Sequence, residues 1–133
     1  MKSWFVKDDS LSAVEGGLQL DVRLPWYRSL PLSALDFGPL AIDGQPIDAG
    51  AVMVTLNGME RPMADLAGLW QEYWWVLDSG FLSIPYPETE AGKEYDVEFT
   101  LVIRPPYVPN VFVPAVHHKR MRANRRRPDR RWP

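Results

Sequence analysis

Leu18, Leu20, Val22 and Leu24 alternate with Gln19, Asp21 and Arg23. An extended backbone turns successive side chains to opposite faces, so this run predicts a half-buried strand. Pro25 ends it, because proline brings no amide proton to a ladder. A longer alternation runs from Glu94 to Arg104. Tyr95, Val97, Phe99, Leu101 and Ile103 fall on one side, Asp96, Glu98, Thr100, Val102 and Arg104 on the other, and Pro105-Pro106 stops the run. Further strands are predicted over Ser3–Lys7, Ser33–Phe37, Ala51–Leu56, Trp70–Leu77 and Phe81–Tyr86. Asp43-Gly44 lies between Leu40-Ala41-Ile42 and Pro46-Ile47, and Asn57-Gly58 follows Leu56. Both dipeptides signal tight hairpin turns. The segment ahead of Gly16-Gly17 reads as a polar stretch, Trp26–Leu32 as irregular, and Met63–Leu69 as a loop or short helix.

About seven or eight short strands, punctuated by turns, describe an all-β chain folded as an antiparallel β-sandwich. No helix-length stretch separates the strands, which argues against a parallel α/β architecture. The 133 residues suit a single domain. Thirteen prolines and nine glycines keep the elements short. Cysteine is absent, which excludes disulfides, thiolate metal sites and cysteine nucleophiles. No run of apolar residues is long enough to span a membrane, and the N-terminus meets charge too soon for a secretory signal. A cytoplasmic location is expected.

The net charge of −2 conceals a segregation. Residues 117–133 hold eight Lys and Arg against one Asp, a net of +7, and the first 116 residues carry −9. We therefore expect a β-sandwich domain over residues 1–116 and a flexible, disordered basic tail over 117–133. The tail resembles an arginine-rich nucleic-acid arm, but the domain offers no matching basic face. Nucleic acid is expected to bind, if at all, only through the tail. Folding of the tail back onto the acidic domain is the other reading.

Candidate chemistry is sparse. The two histidines, His117 and His118, are adjacent, and neighbours on an extended chain point apart, so they make poor co-ligands. They read as solvated tail residues. Glu72, Asp78, Glu88, Glu90 and Asp96 could in principle supply a pair of catalytic carboxylates, but they fit solvent faces and turns better. No nucleophile elbow, dinucleotide fingerprint or phosphate loop occurs. We expect no catalytic residue and no metal ligand set in this chain. The sixteen aromatics are too many for one small core to hide easily. Trp26-Tyr27 and Trp70, Tyr73, Trp74 and Trp75 suit either a sugar-stacking platform or a protein interface. Trp26-Tyr27-Arg28 and Pro105–Asn110 stand out as rigid, proline-bracketed loops that follow the two best strands. They read either as protection of sheet edges or as preorganised contact surfaces.

The run Asp21-Val22-Arg23-Leu24-Pro25-Trp26-Tyr27-Arg28, then Leu30, Ile42-Asp43-Gly44 and Tyr107-x-Pro109-Asn110, resembles the β subunits of C-glycoside deglycosidases. The resemblance covers roughly residues 15 to 113. It implies a non-catalytic subunit, a β-sandwich paired with a TIM-barrel α subunit. That partner carries a divalent metal, typically manganese, and the acid–base residues. The complex cleaves the carbon–carbon bond of a 3-oxo-C-glycoside by elimination. No cofactor is implied in this chain. Trp26, Tyr27, Arg28, Tyr107, Pro109 and Asn110 become the expected partner-interface residues. The tail matches no feature of that family. A standalone carbohydrate-binding module is the alternative.

Overall fold

The computed structural model describes residues 5–7, 9–107 and 110–125. Twelve strands follow one another: β1 (Leu11–Val14), β2 (Gly17–Arg23), β3 (Leu30–Pro31), β4 (Leu35–Ile42), β5 (Gln45–Pro46), β6 (Met53–Leu56), β7 (Met59–Pro62), β8 (Tyr73–Trp74), β9 (Ser79–Pro85), β10 (Glu94–Ile103), β11 (Val113–Arg122) and β12 (Asn124–Arg125). Short 3-10 turns occupy Leu32–Ala34, Ala49–Ala51 and Met63–Gly68. Among the described residues no helix is long and apolar enough to cross a membrane.

The strands form two main sheets and a small ladder. One sheet runs β12-β1-β2-β9-β6-β7, the second β11-β10-β4-β5, and β3 pairs with β8. Each main sheet turns its apolar row inward. Leu18, Leu20 and Val22 of β2, Leu82 and Ile84 of β9 and Val54 and Leu56 of β6 join Leu40 and Ile42 of β4 in one core. Tyr95, Val97, Phe99, Leu101 and Ile103 of β10 complete it, every second residue of that strand being buried. Burying each such side chain contributes about 1.5–3 kcal/mol. The all-β reading therefore holds, with the periodicity of β2 and β10 reproduced in their burial.

Both turn dipeptides close two-residue hairpins, Asp43-Gly44 between β4 and β5 and Asn57-Gly58 between β6 and β7. All four residues have positive φ, 52° and 78° in the first turn and 54° and 75° in the second. That geometry matches the right-handed twist of the flanking strands. Asp43 also fastens its hairpin to β10, since its amide donates to the Asp96 carbonyl and its carboxylate accepts from the Asp96 amide, both at 2.8 Å.

Several expectations are corrected. Residues 5–7 form a turn rather than a strand, although Phe5 and Val6 are buried and Phe5 accepts a hydrogen bond from the Arg23 amide. Ser3 and Trp4 lie outside the described residues. The polar segment ahead of Gly16 contains β1, which pairs with β2. The predicted strand over 70–77 contracts to the two residues of β8.

The largest correction concerns the basic segment. A boundary at residue 117 would cut through β11, which pairs with the full length of β10, from Glu94↔Arg122 to Ile103↔Val113. The part of the expected tail beyond Arg125 lies outside the described residues. The physical cause is charge and apolar complementarity together. On the outer face, Arg120 binds Glu94 at 2.9 Å, Arg122 reaches Glu94 at 3.4 Å, and His118 binds Asp96 at 2.9 Å. On the inner face, His117 is 1% exposed and packs against the rings of Phe5 and Phe99, its Nε2 lying 3.3 Å from the Met121 sulfur. The two histidines do point apart, but only His118 is solvated.

Two predictions follow from this packing. A Cβ added at Gly17 would overlap the Ile84 carbonyl oxygen across the β2–β9 ladder. Gly17→Ala is therefore expected to lower unfolding stability by more than about 2 kcal/mol, read as a lower urea midpoint. His118 is the second case. Its pKa is raised above the ordinary value, first by the hydrogen bond to Asp96, then by the charges of Asp96 and Glu98. Arg120 and Arg122 lie on the same face of β11. A group with a raised folded pKa stabilises most when protonated in both states, and loses that contribution as pH rises through the folded value. The gap in melting temperature between wild type and His118→Gln should be widest below about pH 6.5 and close in alkali.

Candidate interaction surface

β2 and β10 both run out at one end of the sandwich, and each is followed by a proline. Pro25 and Pro105 are buried, and the residues after them emerge into solvent. Trp26 is half-buried against the core, Tyr27 and Arg28 are exposed, and so is Tyr107. These four meet although about 80 residues separate the two segments. The Trp26 indole N–H donates to the Tyr107 hydroxyl at 2.9 Å, and the Tyr27 and Tyr107 hydroxyls lie 3.0 Å apart. The rings of Trp26 and Tyr27 sit 5.1 Å apart, and the Arg28 guanidinium lies 4.9 Å from the centre of the Tyr107 ring. That last contact is a cation–π arrangement.

The cluster separates the two phenols electrostatically. The hydroxyl–hydroxyl bond shared with Tyr27, then the bond from the Trp26 indole and the charge of Arg28, lower the Tyr107 pKa from its ordinary value, and the same shared bond raises that of Tyr27. Asn110 is exposed with left-handed backbone, φ 62°, and takes no part in this cluster. Pro109 lies outside the described residues.

A second aromatic group adjoins the first. Around β8 the side chains alternate, so Trp74 is buried and Tyr73 and Trp75 face outward, stacked at 5.5 Å and 22°. Trp70 and Leu77 are also exposed, at 68% and 81%. The 69–77 segment is tied to the 23–33 segment by backbone and side-chain bonds. Leu32 donates to Glu72, Ser33 to Leu69, Val76 to the Ser29 hydroxyl, and Arg23 to the Leu77 carbonyl. This adjacency of Tyr73 and Trp75 to the Tyr27 loop was not visible in the sequence, where each aromatic run stood alone.

Glu72, one of the carboxylates considered for catalysis, is a structural clasp. It accepts from Asn57 at 3.0 Å and from Arg61 at 2.6 Å, holding the aromatic segment over the β6–β7 hairpin. Those two bonds, Asn57's first, depress its pKa. Asp96 is occupied by His118, and Glu88 lies in a turn with φ 55°. Among the described residues no three His, Asp or Glu side chains converge in a metal-binding arrangement. The surface offers aromatic area, hydroxyls and a cation.

Comparison with known proteins agrees in direction. The C-glycoside deglycosidase beta subunit family matches residues 2–107. The chain is 35% identical over 104 residues to the 3'-dehydrocarminate deglycosidase beta subunit of a Microbacterium species, covering 78% of each chain. It is 37% identical over 89 residues to a C-glycoside deglycosidase beta subunit of Arthrobacter globiformis, covering 66% of this chain and 67% of that one. A third relative, the C-glycoside deglycosidase beta subunit of Microbacterium trichothecenolyticum, is 36% identical over 89 residues, 67% of each chain.

The Glu72 clasp generates a prediction. Its folded pKa is depressed, so its contribution is present above the unfolded value and lost as pH falls through the folded one. Glu72→Gln should destabilise the chain at neutral pH. The difference from wild type should shrink below about pH 4, as followed by urea denaturation across that range.

Proposed function

Because this chain belongs to the C-glycoside deglycosidase beta subunit family, we propose that it is the non-catalytic subunit of a heteromeric lyase, docking through its Trp26–Tyr27–Arg28–Tyr107 surface. The observation that carries this reading is the pre-arranged, exposed cluster itself. Tyrosine, tryptophan and arginine are the residue types enriched in the energetic centres of protein interfaces. Here a hydrogen-bonded set of them stands exposed, continuous through Ser29 with the stacked Tyr73 and Trp75.

The partner in this reading is a TIM-barrel α subunit, which supplies a divalent metal, manganese by resemblance, and the acid–base residues. In this reading the metal belongs to the partner's share of the reaction. The substrate class is a 3-oxo-C-glycoside. Its ketone acidifies the neighbouring C2 proton, and loss of that proton permits elimination of the aglycone. The relative named for 3'-dehydrocarminate is in keeping with a 3-oxo sugar. This chain's contribution is to bind and brace the partner beside its active site. We place the complex in the cytoplasm.

The test is co-purification with an α subunit encoded in the same host, assayed for cleavage of a 3-oxo-C-glycoside. Cleavage is expected from the complex and not from this chain alone. The double substitution Tyr27→Ala with Arg28→Ala should weaken assembly at least tenfold by calorimetry, with the far-ultraviolet circular dichroism of the free chain unchanged. Unchanged affinity would move the docking surface elsewhere.

A further inference from the structure

The direction of β12 bears on the basic end of the chain. This strand lies parallel to β1 in the register Ser12↔Asn124 and Ala13↔Arg125. Parallel neighbours advance in step, so the backbone leaves Arg125 heading along β1, past Val14 toward Glu15. That is about 7 Å for two extended residues.

A shallow, open groove of about 570 Å³ lies at that point. It forms where the β1–β2 turn meets the end of β9, at the other end of β2 from Trp26. Val14, Pro85, Tyr86 and Pro87 give it flat apolar walls, and Glu15 and Glu88 line it as well. These walls are fixed in the free chain. The Tyr86 amide donates to the Gly16 carbonyl at 3.2 Å, and the Tyr86 ring packs edge-on against Tyr95. The Thr89 hydroxyl lies 2.8 Å from the Gly17 carbonyl and 3.3 Å from that of Val14. Glu15 and Glu88 are exposed, and neither joins an ion pair among the described residues.

The sequence beyond Arg125 has the complementary composition. Residues 126–133 hold four arginines against one aspartate, with two prolines and Trp132. Arginine can pair with a carboxylate and stack its planar guanidinium on a ring. Exposed ion pairs alone contribute little, so the Pro85-Tyr86-Pro87 wall matters as much as the two glutamates. We propose that this groove is the docking site of the chain's own C-terminal segment, residues 126–133. Its arginines meet Glu15 and Glu88, and its tryptophan and prolines meet the apolar wall. Eight residues are ample for the distance, and the assignment does not depend on the subunit reading.

The full chain has no cysteine, so a nitroxide attached at Pro133→Cys marks one place. Its broadening of backbone amide signals is read by NMR. The Gly16, Glu88 and Thr89 signals should be lost, while those of Tyr27 and Arg28 persist. The double substitution Glu15→Gln with Glu88→Gln should restore most of the lost intensity, and so should high salt. Unchanged amide positions in β2 and β9 verify that the double variant is folded, and the salt arm needs no variant at all. Mixing labelled chain with isotope-enriched, spin-free chain identifies the owner of the segment. Broadening confined to the chain that carries the label is expected. Transfer to the spin-free chain places the segment on a second copy and overturns the proposal. Full intensity at the groove overturns it too, as does broadening that neither the double substitution nor salt relieves.

Discussion

Hydrogen bonding of β10 on both of its edges, with its whole apolar row buried, determines where the Tyr107 cluster lies. β4 and β11 hold the strand from either side. Tyr95, Val97, Phe99, Leu101 and Ile103 lock its rotation, because slipping the register by one residue would expose all five. The strand therefore delivers Tyr107 to a fixed point. β2 does the same for Trp26 through Leu18, Leu20 and Val22. The cluster is a meeting of two strand ends, and its precision is inherited from two core stripes.

How much of this was legible in the sequence depended on whether a stripe was apolar. β2, β10 and both hairpins were readable because hydrophobic period and turn chemistry agreed. β11 was not, because the residues that alternate inward include His117 and Lys119, and its Arg residues resemble a solvated tail. Its signal lay in the partner strand. Glu94, Asp96 and Glu98 form an acidic row of matching period, and only the register Glu94↔Arg122, Asp96↔Arg120, Glu98↔His118 reveals the match. The run from Trp70 to Leu77 misled in another way. Its aromatics satisfy strand propensity, yet most of the segment is held by Glu72 and by bonds to Ser29 and Leu32 rather than by a ladder. Propensity reported a half-buried surface and not a long strand.

The candidate site was partly legible for a related reason. Trp26, Tyr27, Arg28 and Tyr107 could be singled out as rigid loops after strong strands. That they share one hydroxyl could not, since contact across such a separation is a property of sheet order. The charge segregation shows the same limit. Basic and acidic segments that looked like two bodies are neighbouring strands, and their opposite charges are in part neutralised pair by pair across one ladder.

The bonding within the Trp26–Tyr27–Arg28–Tyr107 cluster also bears on the entropy of association. Immobilising a flexible side chain on binding costs about 0.5–1.5 kcal/mol. These side chains are already restrained by one another before any partner arrives. Most of that ordering is completed during folding of the free chain. In the docking proposed above, a surface of this kind needs fewer square ångströms than a floppy one, and its grip depends on loop rigidity as much as on the atoms that touch.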